Sequence, residues 1–154
     1  LALQEIQEEE ATRKALVTIG PYCGTSGWAS ALYVTALRDE LRSAGGDASV
    51  RGIARALSWS SGQVGDLLKI REAFPEPAVD WLGFTRDDRG EDPLEFSERG
   101  RRRLELLSFR CLRSVARLPY GERLIKVREV AKSALMANPA SERANLTPRA
   151  DAVR

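Results

Sequence analysis

SVRGIARALSWSSGQVGDLLKI, residues 49–70, reads as two short helices meeting at a tight corner. Ser49 is placed to cap the first helix, whose buried side is expected to hold Val50, Ile53, Ala54 and Leu57. Ser60 is placed to cap the second. Gln63 follows three residues later, so Ser60-x-x-Gln63 has the form of a capping box. Val64, Leu67, Leu68 and Ile70 then recur at helical spacing. Ser58 and Trp59 are all that separates the first helix from Ser60, and small Ala54 stands where the helices would cross. A joint this short predicts a helix-turn-helix.

Two short helices need a packing partner, because an isolated helix of that length is marginal in water. Trp28–Ala44 supplies it, with Trp28, Ala31, Leu32, Val34, Ala36, Leu37 and Leu41 forming a broad apolar surface. Ser26 is its expected N-cap and Gly45-Gly46 its stop. Upstream, Ala2–Leu16 predicts a helix with Leu3, Ile6 and Leu16 as contacts and Glu8-Glu9-Glu10 as a solvated run. Thr18–Gly27 reads as a loop. Its Gly24-Thr-Ser-Gly27 lacks the length and the lysine of a phosphate-binding loop.

Downstream, Pro75 and Pro77 interrupt the corner's second helix, and Ala78–Phe84 predicts a short helix or packed connector. Thr85–Pro93 is an acidic loop and the expected boundary between subregions. Ser97 is the expected cap of a single helix over 98–117, with Leu104, Leu107, Cys111, Leu112, Val115 and Leu118 as its stripe and Gly100 as a weak point. A last helix is expected over 121–137, closed by Pro139. The fold class is all-α, a helix-turn-helix unit followed by a small helical subdomain. The expected organisation is 1–27 helix and loop, 28–74 helix-turn-helix unit, 75–96 acidic connector, 97–138 helical subdomain and 139–154 tail or linker.

At 43% hydrophobic and 30% charged, the chain has the composition of a soluble globular protein, and no stretch reaches transmembrane length. It begins at Leu1 and not at Met, which is expected of a fragment or of a processed chain. Cys23 and Cys111 form no metal-ligand cluster and read as free thiols, and the absence of histidine removes histidine metal sites and histidine bases. Asp87-Asp88 and Glu91-Asp92 fall in the solvated loop, in no recognisable motif. No enzymatic activity, cofactor or metal is therefore expected of this chain. Charge is unevenly placed. From Glu76 to Glu98 eight acids face Arg86 and Arg89, a net −6, and from Arg99 to Arg154 fourteen basic residues face five acids, a net +9. That polarity permits a nucleic-acid face, and solvated helix surfaces produce it too.

In a helix-turn-helix the first helix braces the second across the DNA backbone, and the second meets base edges with its N-terminal turns. The candidate contacts here are Ser60, Ser61, Gly62, Gln63, Asp66 and Lys69, with Arg71 more distal. Gln63 can pair with adenine and Asp66 can accept from cytosine. Ser61 and the helix amides suit a phosphate, and Gly62 permits close approach. Arg51 and Arg55 lie on the bracing helix. Arg101, Arg110 and Arg113 are the downstream candidates, within a run of arginines that cannot all face DNA from one helix. The competing reading is a helical hairpin with two good caps and no DNA affinity.

The corner resembles the DNA-binding region of the ParB family of centromere-binding partition proteins. The resemblance rests on Ile53-Ala54, Leu57, Ser60-Ser61-Gly62-Gln63-Val64 and Leu67-Leu68-Lys69-Ile70, and more weakly on Leu107–Pro119 with Glu122-Arg123. It covers roughly 28–135. Ser58 departs from the glycine usual at the turn. The resemblance implies a cytoplasmic, nucleoid-associated protein that binds a short palindrome of double-stranded DNA as a homodimer, acts in chromosome or plasmid segregation and recruits a partition ATPase. Relatives also carry an N-terminal CTP-hydrolysing domain, and its arginine-rich nucleotide box is not found in this sequence. A complete chain would be a divergent relative with DNA binding alone. The alternative on the same fold is a transcriptional repressor or nucleoid-associated factor.

Overall fold

A computed structural model describes residues 2–84 and 96–137 of the chain. The acidic loop with Asp87-Asp88 and Glu91-Asp92, Pro139 and the expected tail lie outside the described residues. Eight helices are described, α1 (Ala2–Ile19), α2 (Gly27–Ala44), α3 (Val50–Leu57), α4 (Ser61–Ala73), α5 (Glu76–Gly83), α6 (Phe96–Glu105), α7 (Phe109–Val115) and α8 (Tyr120–Ala137). The fold is all-α, with no strand among the described residues. No described helix is long and apolar enough to cross a membrane. The chain divides into two compact units, Leu1–Glu72 and Ala73–Arg154. The division falls at the end of α4, ahead of the acidic segment.

The first unit is built on α2. Trp28, Ala31, Val34, Leu37 and Leu41 recur at three- and four-residue intervals and are all buried, each large side chain contributing roughly 1.5–3 kcal/mol by leaving water. Ser26 caps α2 by accepting from the Ala29 N–H at 3.0 Å. Gly45 ends it in the left-handed conformation (φ 80°), where Gly45 N–H reaches the Arg42 carbonyl and Gly46 N–H reaches that of Leu41. α1 packs on α2 through Ala11 and Ala15, small residues that let the two backbones approach. The expected contacts Leu3 and Ile6 are instead 68% and 53% exposed. The face of α1 that meets α2 is the alanine face, which leaves those two on the solvent side. Ile53 and Ala54 of α3 and Val64, Leu67 and Ile70 of α4 complete the core. Val50, expected inside, is 37% exposed at the first position of α3, and Leu57 and Leu68 are half-buried.

In the second unit α5 lies against α6 and α8. Pro75 stands at the N-cap of α5 and Pro77 in its first turn, where missing N–H groups cost nothing. Ala78, Val79 and Leu82 are buried. Gly100, a weak point in sequence terms, is the close-approach position of α6. A Cβ there would collide with the Val79 carbonyl. The single helix expected over 98–117 is two helices. Leu106 and Leu107 tighten the end of α6 by bonding three residues back, to Arg103 and Leu104 carbonyls. Ser108 then turns extended and caps α7 by accepting from Cys111 N–H at 3.1 Å. Ser97, the expected cap, lies inside α6. Leu104, Leu107, Leu112 and Val115 are nevertheless buried together with Leu124, Val127 and Ala131 of α8. Both cysteines are free.

Gly100→Ala is expected to destabilise the chain by about 1–3 kcal/mol through overpacking. Gly121→Ala, on α8 with nothing within 4 Å of the added carbon, is the control expected to be neutral or stabilising by a few tenths of a kcal/mol. Urea melts of the two variants side by side check this.

Candidate nucleic-acid interface

The corner is built entirely from helix-end chemistry. Asp47 Oδ1 accepts from the Ser49 hydroxyl at 2.6 Å and from Ser49 N–H at 3.0 Å. Ser49 Oγ in turn accepts from Gly52 N–H at 3.1 Å, capping α3. The two bonds from Ser49, the hydroxyl's first, hold the Asp47 carboxyl below its usual pKa, and the Arg55 charge adds to them. α3 ends at Ser58, whose φ of 58° and ψ of 37° are left-handed. Ser58 N–H reaches the Arg55 carbonyl at 3.4 Å and Trp59 N–H that of Ala54 at 3.0 Å. This is the paired reverse bonding that normally falls to glycine. Ser60 Oγ accepts from Gln63 N–H at 3.1 Å and starts α4. Among the described residues Ser58 is the one non-glycine with positive φ, so the sequence departure at the turn leaves the geometry intact and adds a steric cost of about 1–2 kcal/mol.

The expected contact residues of the first unit divide by exposure. Ser60, Ser61, Gly62, Gln63 and Lys69 are exposed, as are Arg51 and Arg55 one turn apart on α3. Gly62, Asp66 and Lys69 follow one another along one face of α4, with Gln63 beside them. Asp66 is half-buried. Arg71 is half-buried with its guanidinium 5.5 Å from the Trp28 ring centroid, so cation–π packing engages it. Val64, the neighbour of Gln63, is fully buried, as helical spacing requires.

Two features escaped sequence reasoning. Trp59 packs against Tyr22 and Tyr33, with ring centroids 5.7 and 6.4 Å away. A cleft of about 680 Å³ brings Arg55 and Asp47 together with Glu5, Glu8 and Glu9 of α1. Glu8 and Glu9 of the glutamate run thus line the same cleft as Arg55, while Glu9 and Glu10 are exposed, as a solvated run requires. Neither pairing has a sequence signal, because the partners are tens of residues apart.

In the second unit the arginines have unequal roles. Arg99 is 2% exposed, and its Nη1 donates to the Gly83 carbonyl at 2.6 Å. Arg103 donates to the Leu82 carbonyl. Arg128 donates to the Trp81 and Phe84 carbonyls at 2.6 and 2.7 Å and stacks 3.8 Å from the Trp81 ring centroid. Three guanidinium groups thus satisfy the carbonyls that α5 leaves at its C-terminus, where the helix dipole also favours positive charge. Arg123 does the same for Leu118 and Ala73. Arg102 pairs with Glu98 at 3.3 Å. Arg113 is half-buried, 5.7 Å from the Phe109 ring centroid. Arg101, Arg110 and Arg117 are exposed.

No family model, curated protein or solved structure matches this chain.

Ser58→Gly is expected to relieve the left-handed strain and raise stability by about 1 kcal/mol, read as a higher urea midpoint at unchanged slope. Among the arginines, Arg128→Ala should cost about 1–3 kcal/mol, because two backbone carbonyls lose a charged donor. Arg110→Ala should stay within about 0.5 kcal/mol of the parent. Equal melting temperatures for the two variants would remove the capping role assigned to Arg128.

Proposed function

We propose that the chain binds double-stranded DNA sequence-specifically, with α3 bracing and α4 as the recognition helix, in the manner of ParB-like centromere-binding proteins. The observation that carries the reading is the corner itself. Caps at Ser49 and Ser60 and the reverse-bonded turn at Ser58 fix where α3 stops and α4 starts, while Ser61, Gly62 and Gln63 stay exposed at the start of the second. That is where a side chain reaches a base edge before the helix rises from the groove. Gln63 is assigned base contact, Ser61 and the first-turn amides phosphate contact, and Lys69 and Arg51 phosphate contact from either side. Arg55 is assigned the smaller share, since the cleft it lines with Arg13 also holds Glu5, Glu8, Glu9 and Asp47. Downstream, Arg101 and Arg110 remain exposed candidates for phosphate.

On this reading the chain acts as a homodimer on a palindromic site, associates with the nucleoid and serves segregation with a partition ATPase. Sequencing of genomic fragments protected by the purified protein tests it. A cluster of repeats near an origin or partition locus supports segregation, whereas sites at single promoters assign a transcriptional repressor. No protected fragments would reject DNA binding.

The Ser60 cap bond goes to the backbone N–H of Gln63, which alanine retains. Gln63→Ala should therefore melt like the parent and relax preference at one base pair by about 1–3 kcal/mol. Lys69→Ala should weaken all duplexes evenly and lower the salt slope by about one counterion. Titrations across single-base variants of the best site, at several salt concentrations, separate the two. An unchanged preference profile for a folded Gln63→Ala would move the base contact to Ser61 or Asp66.

A further inference from the structure

We propose that Trp59 is a positioning residue for α4, its indole packed on Tyr22 and Tyr33 so that the presentation of Gln63 is fixed from behind. The inference rests on the DNA-binding reading above. Trp59 lies immediately before the cap Ser60, and its own N–H is committed to the Ala54 carbonyl. Its ring meets Tyr22 edge-on at an interplanar angle of 89°, and Tyr22 meets Tyr33 at 5.2 Å and 66°. Edge-to-face contacts follow the ring quadrupole, so they fix orientation as well as distance.

The two tyrosines are themselves anchored. Tyr33 donates to the Gly20 carbonyl at 2.8 Å. The Tyr22 and Ser30 hydroxyls share a bond of 2.7 Å, and Tyr22 also reaches the Ser26 carbonyl at 3.3 Å. Gly24 makes room for this, since a Cβ there would stand 2.9 Å from the Tyr22 ring and hydroxyl. The indole is thereby tied to α2 and to the α1–α2 connection. At its other end α4 is held by Arg71 on Trp28, and along its underside by Val64, Leu67 and Ile70. With those points fixed, the angle at which the first turn leaves the corner depends on where the indole sits. Gln63 lies in the first turn of α4, which Ser60 alone separates from Trp59, so a shift of the indole is passed to it through the cap.

The test uses the full chain with Trp59→Ala, Trp59→Phe, Tyr22→Phe and Tyr33→Phe, titrated with the best genomic site, its single-base variants and a mixed-sequence duplex, with thermal melts alongside. Trp59→Ala is expected to lower the ratio of specific to mixed-sequence affinity about tenfold, with mixed-sequence affinity changed less than about twofold. Gln63→Ala should then add nothing in that background. Trp59→Phe, which keeps a ring, should restore most of the ratio. A folded Trp59→Ala with the parent ratio overturns the proposal, as does equal loss for both kinds of duplex. Should Trp59→Ala fail to fold, the two Tyr→Phe variants decide, a lowered ratio supporting the role and an unchanged ratio overturning it. A parent chain with no preference among duplexes overturns the DNA reading instead. Amide exchange at Gln63 and Val64 then decides the positioning role alone. Faster exchange in Trp59→Ala than in the parent, largely restored in Trp59→Phe, supports it, and equal exchange in Trp59→Ala and the parent overturns it.

Discussion

A helix that stops leaves four carbonyls and four N–H groups without partners inside it, so in an eight-residue helix the ends are most of the structure. α3 and α5 are eight residues long and α7 is seven. Where each short helix starts and stops follows from how these ends are satisfied. Ser26, Ser49, Ser60 and Ser108 each accept the N–H three residues on. Gly45 and Ser58 turn left-handed so that reverse bonds close α2 and α3. Where no such turn is available, at the end of α5, guanidinium groups from α6 and α8 supply the donors. The apolar stripes decide which faces meet. The end chemistry decides where each helix stops, and therefore which residues stand at its tip.

That division of labour changes how the positive charge is read. The net +9 of the C-terminal third permits a basic face in sequence without saying which arginines would form it. Arg99, Arg103, Arg123 and Arg128 face the protein's own carbonyls, and Arg102 faces Glu98. A donor spent on a backbone carbonyl is not available to a phosphate, because the same N–H cannot serve both. The charge still contributes to the long-range field, but among the described arginines of this segment those left exposed for a polyanion are Arg101, Arg110 and Arg117, with Lys126 and Lys132 also exposed on α8.

The parts of the fold that sequence revealed are local ones. Ser26, Ser49 and Ser60 were legible as caps because the acceptor and its N–H are three residues apart, and the α2 stripe because helical periodicity fixes which residues share a face. Most of what failed required a distant partner, and one failure, the break at Ser108, was local. Leu3 and Ile6 look as suitable for burial as Ala11 and Ala15 until α2 chooses the small-residue face. The break between α6 and α7 is a competition between continuing a helix and starting another at Ser108, and periodicity through Leu104 to Val115 conceals it. The arginines at the end of α5 and the rings around Trp59 pair residues far apart in the chain, with no repeating signal. Exposure of Ser61, Gly62 and Gln63 followed from the cap, whereas the acidic neighbours of Arg55 did not follow from anything local.

Those neighbours bear on how the proposed DNA-binding unit would work. A bracing helix with Arg51 free of the cleft and Arg55 lining it beside three glutamates presents an uneven field. At physiological ionic strength charges interact over about 8 Å, and the cleft that Arg55 lines holds Glu5, Glu8, Glu9 and Asp47 against Arg13 and Arg55, an acidic excess that lowers what Arg55 offers a phosphate. The remaining attraction at the corner comes from Arg51, Lys69 and the partial positive charge at the start of α4. On the proposed reading, one copy would therefore hold arbitrary duplex weakly, and non-specific affinity scales with the phosphates neutralised. A short palindrome read by two linked copies multiplies two weak half-site affinities through effective concentration. On the same reading, low charge at the start of α4 would favour discrimination, because a wrong half-site would lose the proposed Gln63 contact without a strong electrostatic term to replace it.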